Sequence, residues 1–370
     1  MQTATTRRQL LVRAASSLAL GTFLSQRPLR ADDAAIQWHN VRDWGVEGRG
    51  WSDTEKYFDR LPASAKGAVR DAVWSLSRHS AGMLVRFHTD ATQLWADYTV
   101  TNANLAMPHM PATGVSGLDL YADNAAGERR WVNVVKPTGQ STRTQMVSGL
   151  AAGARDSPVY LPLYNGTESL QIGIPSGATF TPIAPRSDRP LVFYGTSITH
   201  GACASRTGMP HPAILGRRLQ LPVINLGFSG NGRMEAAVGA LLAELDAAVF
   251  IIDCLPNMTG PEVAERTEPL VRQLREHHPE TPILLVEDRT YSNTWIMPDK
   301  QQRHAASRAA LRSGYERLLQ AGVTRLHYLE GDRLLGTDLE DTTDGSHPSD
   351  LGFQRHADAF EPVLRTILKV

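Results

Sequence analysis

The stretch "VFYGTSITHG", residues 192 to 201, runs apolar residues into a glycine and then into a cluster of hydroxyls. It sets Ser197 at the point where a buried strand gives way to a helix. Far downstream, "TTDGSHPSDLGF" carries Asp344 three residues before His347, with Pro348 stiffening the chain just past the histidine. A serine hydroxyl is a poor nucleophile at neutral pH and needs a base within hydrogen-bond reach. His347 suits that role, and the Asp344 carboxylate, projecting from the same turn, would hold the imidazole tautomer and stabilise the imidazolium. Acyl transfer through such a serine also needs donors aimed at the oxyanion of its tetrahedral intermediate. The candidates are the main-chain N–H of Ser197 at the start of a helix, the N–H of Gly230, which carries no side chain, and the amide of Asn257. Taken singly, each has a plainer reading as a turn acid, a turn glycine or a loop cap. Their combination argues for nucleophilic catalysis.

These residues share a placement. Buried strands "LVFYG", "PVINLG", "AAVFIID", "TPILLVED" and "RLHYLEG" alternate with helical stretches, the clearest being "AILGRRLQ", "RMEAAVGALLAEL", "EVAERTEPLVRQLREHH" and "DKQQRHAASRAALRSGYERLLQAG". Continuous apolar strands separated by helices specify a parallel sheet covered on both faces. In such a sheet, chemistry collects beyond the carboxyl ends of the strands. Ser197, Gly230 and Asn257 each follow one of the first three strands. His200 and Arg206, after the nucleophile, and Arg289 and Tyr291, after the fourth strand, are expected to line the substrate's approach. Residues 36–180 have a different grammar. "QLWADYTV" alternates with period two, and "GLDLY", "RRWVNVV" and "SLQIGIP" are strand-like, with "YADNAAGERR" as a hairpin turn. Short strands with polar turns imply an antiparallel sandwich. "SAKGAVRDAVWSL" reads either as a short helix or as a lead-in to a strand. The segment 181–190, with Pro182, Pro185 and Pro190, is read as a linker to the α/β domain at 191–370.

"GTSIT", "GFSG", "DCLPN" and "DGSHP" together resemble the four blocks of the SGNH hydrolases, or GDSL esterases, in order. The preceding sandwich resembles the domain found in one subgroup of them. Thr196 stands where that family has its aspartate, and Pro256-Asn257-Met258 replaces the usual third block while keeping the asparagine. The resemblance implies a flavodoxin-like three-layer α/β domain preceded by an antiparallel β-sandwich. It also implies a cofactor-free serine esterase working through an acyl-enzyme. The expected substrate is a small-molecule or glycan ester, with acetyl removed from carbohydrate. Alternatives are a general short-chain or lipase-like acylhydrolase, or an inactive carbohydrate-binding protein. The strand-to-helix turn is not that of the α/β-hydrolases, since Thr199 occupies the position of the second glycine in G-x-S-x-G.

Composition removes other classes. Lys plus Arg and Asp plus Glu balance at 38 each, so no global field favours nucleic acid or an anionic membrane. No apolar run is long enough for a membrane anchor. No phosphate loop and no metal-ligand cluster is evident, and His277-His278 at a helix end is expected to be solvated. Arg7-Arg8 ahead of a weakly apolar segment looks like a twin-arginine export signal over residues 1–31, with an amphipathic helix as the plainer alternative. Export would make the mature protein periplasmic or secreted. The two cysteines, Cys203 and Cys254, read as small buried thiols, with a bridge after export as the alternative. Six of the seven tryptophans precede residue 132 and are expected mainly in the sandwich core, and His109, between two prolines in "NLAMPHMPATG", is expected to lean over the site.

Overall fold

Alternating burial, as in Leu94, Ala96, Tyr98 and Val100 against half-exposed Trp95, Asp97 and Thr99, builds the first part of the chain into two facing sheets. The computed structural model describes residues 35–370, so the proposed export signal lies outside the described residues. The strands are β1 (Ile36–Asn40), β2 (Leu84–Thr89), β3 (Leu94–Val100), β4 (Asp119–Asp123), β5 (Arg129–Val134), β6 (Ser141–Val147), β7 (Arg155–Tyr160), β8 (Thr167–Pro175) and β9 (Phe180–Ile183). They pair in the orders β1-β8-β3-β6 and β5-β4-β7-β2-β9, antiparallel throughout. Phe87, Tyr98, Leu120 and Ile172 are among the side chains that fill the space between the sheets. Two short helices, α1 (Asp71–Ser77) and α2 (Ala112–Val115), interrupt the strands.

The second part is read from strands buried on every residue. β10 (Leu191–Gly195), β11 (Val223–Gly227), β12 (Val249–Asp253), β13 (Ile283–Val286) and β14 (Leu326–Leu329) form a parallel sheet in the order β11-β10-β12-β13-β14. α3 (Ser197–His200), α4 (His211–Arg218), α5 (Ala236–Leu242), α6 (Gly260–His277), α7 (Pro298–Gln320) and α8 (Asp350–Leu368) lie between and after the strands. α5, α6 and α7 contribute Val238, Leu270 and Leu311 to one face, while α4 and α8 contribute Ile214 and Phe360 to the other. This is the flavodoxin-like layering expected. The chain leaves β10 for β11 on one side and returns to β12 on the other, which opens a crevice at the carboxyl ends of these strands. α6 begins with a capping box in which Thr259 and Glu262 satisfy each other's main-chain donors. Among the described residues no helix is long and apolar enough to cross a membrane.

Three features depart from the sequence reading. The proline-rich 181–190 segment starts as strand: Thr181, Pro182 and Ile183 pair with β2, and Pro182 is accommodated because β9 is a sheet edge with no ladder to donate to beyond it. The 58–77 segment does not pack only with the sandwich. Leu61, Ala65, Val69 and Val73 enter the same apolar cluster as Val192, Leu226 and Phe228 of the parallel sheet. This arm helps to make Ile36–Val370 one unit. None of the six early tryptophans is fully buried: Trp38, Trp44, Trp51, Trp74 and Trp95 are half-buried and Trp131 is exposed. Trp44 lies against the sandwich core, and Trp51 and Trp74 lie against the parallel-sheet cluster. Three of them aim the indole N–H at polar partners near the surface, Trp44 at Arg86 O, Trp51 at Glu244 and Trp131 at Asp119. Cys203 and Cys254 are both buried and unbridged.

Candidate active site

β10 ends at Gly195, and Thr196 caps α3 by accepting the Ile198 N–H on its hydroxyl, so Ser197 becomes the first residue of a one-turn helix. The N–H of Ser197 therefore has no acceptor within its own helix. α3 sits directly on β11. A side chain at Gly227 would come within 2.2 Å of His200 N, so only glycine permits this approach. Asn225 ties the two together, donating from Nδ2 to Thr199 O (2.6 Å) and accepting the Gly227 N–H (2.9 Å).

Ser197 is 7 % exposed, and its Oγ lies 2.9 Å from His347 Nε2. His347 Nδ1 lies 2.7 Å from Asp344 Oδ2, and the other carboxylate oxygen accepts the His347 and Ser346 N–H groups. With the ring proton on Nδ1 facing Asp344, Nε2 is free to accept the serine proton. Burial would raise the Asp344 pKa. The His347 and Ser346 donors and the nearby imidazole outweigh it and hold the carboxyl at about 2. The loop is pinned at its base by Thr343 N–H to His347 O (2.9 Å) and Ser349 N–H to Asp341 O (2.8 Å).

The two other sequence-predicted donors follow β11 and β12, the strands on either side of β10. Gly230 has φ +70 and open space where a side chain would stand, and its N–H makes no hydrogen bond among the described residues. Asn257 accepts the Gly232 N–H on Oδ1 (3.2 Å), which orients its amide and leaves Nδ2 free to donate. A nucleophile with its base and acid, beside undercommitted N–H donors, can carry an acyl group through a tetrahedral intermediate.

Of the five residues expected at the substrate's approach, the structure brings only His109 to the site. It is exposed, with its ring 6.2 Å from that of His347. His200 is fully buried, stacked at 4.1 Å on Tyr164 and donating from Nε2 to Leu163 O, because the helix turns it away from the crevice. Arg206 is committed to Asp119 (2.6 Å) and the Tyr121 hydroxyl (2.5 Å). Arg289 is 2 % exposed and grips Ser346 through its main-chain and side-chain oxygens while pairing with Asp288. It steadies the His347 loop from behind. Tyr291 is half-buried, its hydroxyl bound by Arg303 and its ring against His304.

The sequence reading missed several side chains that hold this site and its surroundings. Asp119 and Tyr121, in the "GLDLY" strand read for its periodicity alone, hold Arg206 and Gly208 in the segment between α3 and α4 rather than the site itself. Tyr164 donates its hydroxyl to Ser197 O (3.2 Å). Arg60 reaches the end of β11, and Arg70 the loop after it, from the 58–77 arm. The apolar spacing of Leu61, Ala65, Val69 and Val73 was a helix-like signal inside a period-two region, but nothing in the sequence marked the arginines.

Among the described residues, two groups bring ligand-type side chains within 4.8 Å of one another. Cys203 joins Asp344 and His347, whose facing atoms are already engaged with each other and with Ser197, and burial pushes the thiol up to about 11. His211, Asp253 and His356 form the other group, buried, with the Arg289 cation nearby.

Residues 188–365 match the GDSL-like lipase/acylhydrolase family, and residues 36–180 match the N-terminal domain of SGNH-hydrolase-type esterases named for its GxDLY motif. A solved structure from Bacteroides ovatus described as a GDSL-like lipase is 33 % identical, covering 90 % of this chain and 98 % of its own, with a TM-score of 0.86. The chain belongs to the GDSL-like lipase/acylhydrolase family. It is an ester-hydrolysing enzyme with an SGNH-type esterase/acyltransferase fold. The motif of the GxDLY domain is Gly117-Leu118-Asp119-Leu120-Tyr121, so the residues that anchor Arg206 belong to it. The fold is shared at 20 % identity with a salicylyl-acyltransferase from a tetracycline biosynthetic pathway, over 90 % of this chain and 97 % of that one, at a TM-score of 0.72. It is shared at 15 % identity with a family two carbohydrate esterase from Cellvibrio japonicus, over 91 % and 99 %, at a TM-score of 0.59. No curated protein sequence matches this one.

Proposed function

We propose that this GDSL-family enzyme is a serine esterase that removes small acyl groups, acetyl foremost, from carbohydrates. The observation that carries the chemistry is the hydrogen-bonded run from Ser197 through His347 to Asp344. Ser197 Oγ attacks the ester carbonyl while His347 Nε2 takes its proton. The oxyanion is received by the N–H groups of Ser197 and Gly230 and by Asn257 Nδ2. Collapse breaks the C–O bond to the alcohol, which leaves with the proton from His347. Water, deprotonated by the same imidazole, then releases the acid and restores Ser197. Asp344 stays ionised throughout and holds the ring.

The carbohydrate assignment draws on the fold shared with the Cellvibrio carbohydrate esterase and on His109, an exposed polar side chain beside the base. Hydrolysis of p-nitrophenyl acetate, abolished in Ser197→Ala, tests the chemistry; equal rates in parent and variant reject it. Acetate release from acetylated xylan compared with release of longer acyl chains from model esters tests the substrate. A preference for the longer chains replaces the carbohydrate reading with a general acylhydrolase. Export by the Arg7-Arg8 signal belongs to the same proposal, and retention of the Arg7→Lys/Arg8→Lys variant in the cytoplasm is its expected outcome.

A further inference from the structure

The buried guanidinium of Arg60 is an unusual feature. It is 1 % exposed and has no ion-pair partner among the described residues. Burying a cation without a counter-charge is costly, and it persists only where its donors are satisfied. Here they are met by carbonyls. Nε donates to His79 O (2.9 Å), Nη2 to Leu76 O (2.6 Å), and Nη1 to both Asn225 O (3.0 Å) and Gly227 O (2.8 Å). The first two acceptors lie in or just past the arm itself. The other two lie at the end of β11, directly before the Phe228–Gly232 loop that carries Gly230. The same guanidinium lies 5.2 Å from the centre of the Phe228 ring. Burial brings its pKa down to about 9, so it remains a cation at neutral pH.

A second arginine of the arm holds the far side of that loop. Arg70 donates to the Asn231 side chain (2.7 Å) and main-chain oxygen (3.2 Å) and pairs with Glu235. Gly230 therefore sits between two arginine-held points, Gly227 and Asn231. Its positive φ and lack of side-chain contact leave it few constraints of its own.

We propose that Arg60 and Arg70 are positioning residues that fix the Gly230 N–H as an oxyanion donor, so the 58–77 arm takes part in turnover without itself touching substrate. This rests on the esterase reading above. A lysine cannot replace either residue, since one ammonium does not reproduce a planar fork spread over four carbonyls or over an amide and a carboxylate.

The test uses Arg60→Lys, Arg70→Gln and the parent in the full chain, with p-nitrophenyl acetate as substrate and phenylboronic acid as a mimic of the tetrahedral intermediate. The expected result is a kcat lower by about tenfold to a hundredfold with KM within about twofold, and boronate inhibition weakened in the same proportion. Arg70 is partly exposed, so Arg70→Gln stays informative should Arg60→Lys fail to fold. Variants that fold and match the parent in kcat overturn the proposal. So does a fall in kcat with boronate affinity unchanged, which would place the effect outside stabilisation of the tetrahedral adduct. A parent that neither hydrolyses the ester nor reacts at Ser197 with a fluorophosphonate overturns the esterase reading, and this inference with it.

Discussion

The two halves of the proposed site are built differently. The nucleophile and its oxyanion donors stand at the ends of fully buried parallel strands, and their supports come from far away in sequence: Arg60 is 167 residues from Gly227, and Tyr164 is 33 from Ser197. The acid–base half is a partly exposed loop whose acid is held by the loop's own main chain, with Arg289 and Ser292 gripping the loop from the segment after β13. Asp344 takes donors from Ser346 and His347, and Arg289 binds the main-chain and side-chain oxygens of Ser346. Where negative charge must be met at a fixed point, the protein uses deep, long-range support. Where a proton is handed to and from a leaving group, it uses a local turn open to solvent.

The largest expected effects do not distinguish the halves. Ser197→Ala and His347→Ala should each lower kcat/KM by about four or more orders of magnitude on p-nitrophenyl acetate, and Asp344→Asn by about three to four. An Asp344→Asn variant within tenfold of the parent would break the comparison, since the loop would then need no charge. Asn257→Ala should cost about a hundredfold to a thousandfold in kcat with little change in KM. A rise in KM alone would move Asn257 from the oxyanion to substrate binding. Thr196→Ala removes the cap of α3 and should cost about 1 kcal/mol in denaturant unfolding. A larger loss of kcat than of stability would show that the cap also aims Ser197.

The smallest effect concerns pH. Burial, with Arg60 and Arg289 respectively adding to it, lowers His79 and His211 to about 3 from 6.5, so both stay neutral in the folded protein. The stability they contribute is present above pH 6.5 and is lost as pH falls toward 3. Asp253 has the opposite sign. Burial pushes it up to about 7 from 3.8, so its contribution is present below 3.8 and lost as pH rises through 7. In urea titrations, Asp253→Asn should gain on the parent as pH rises from 4 to 7. A difference that stays constant over that range would mean that Asp253 does not change its ionisation there.

Much of this was legible before the fold was known. The strand-end positions proposed Ser197, Gly230 and Asn257, and the D-x-x-H spacing proposed Asp344 and His347. None stood out alone; their combination made the case, and the structure joins Ser197, His347 and Asp344 by hydrogen bonds. The expectations for His200 and Arg289 failed for a geometric reason. Adjacency to a catalytic strand end says nothing of which way a helix or loop turns its side chain, and both are spent on main-chain carbonyls. Carbonyl acceptors are the same for every residue type, so an arginine that answers them leaves no pattern. Arg60 is the extreme instance, and the arm that carries it was hidden by the assumption that a segment inside a sandwich packs with that sandwich.

One consequence of the Arg60 contacts concerns synthesis on the ribosome. The sandwich strands emerge first and can pair among themselves, but two of the carbonyls that receive this guanidinium are made more than 160 residues later. Until then the side chain stays hydrated and the arm has nowhere to dock, so the nascent chain finishes its earliest segment only after much of its later half has been translated.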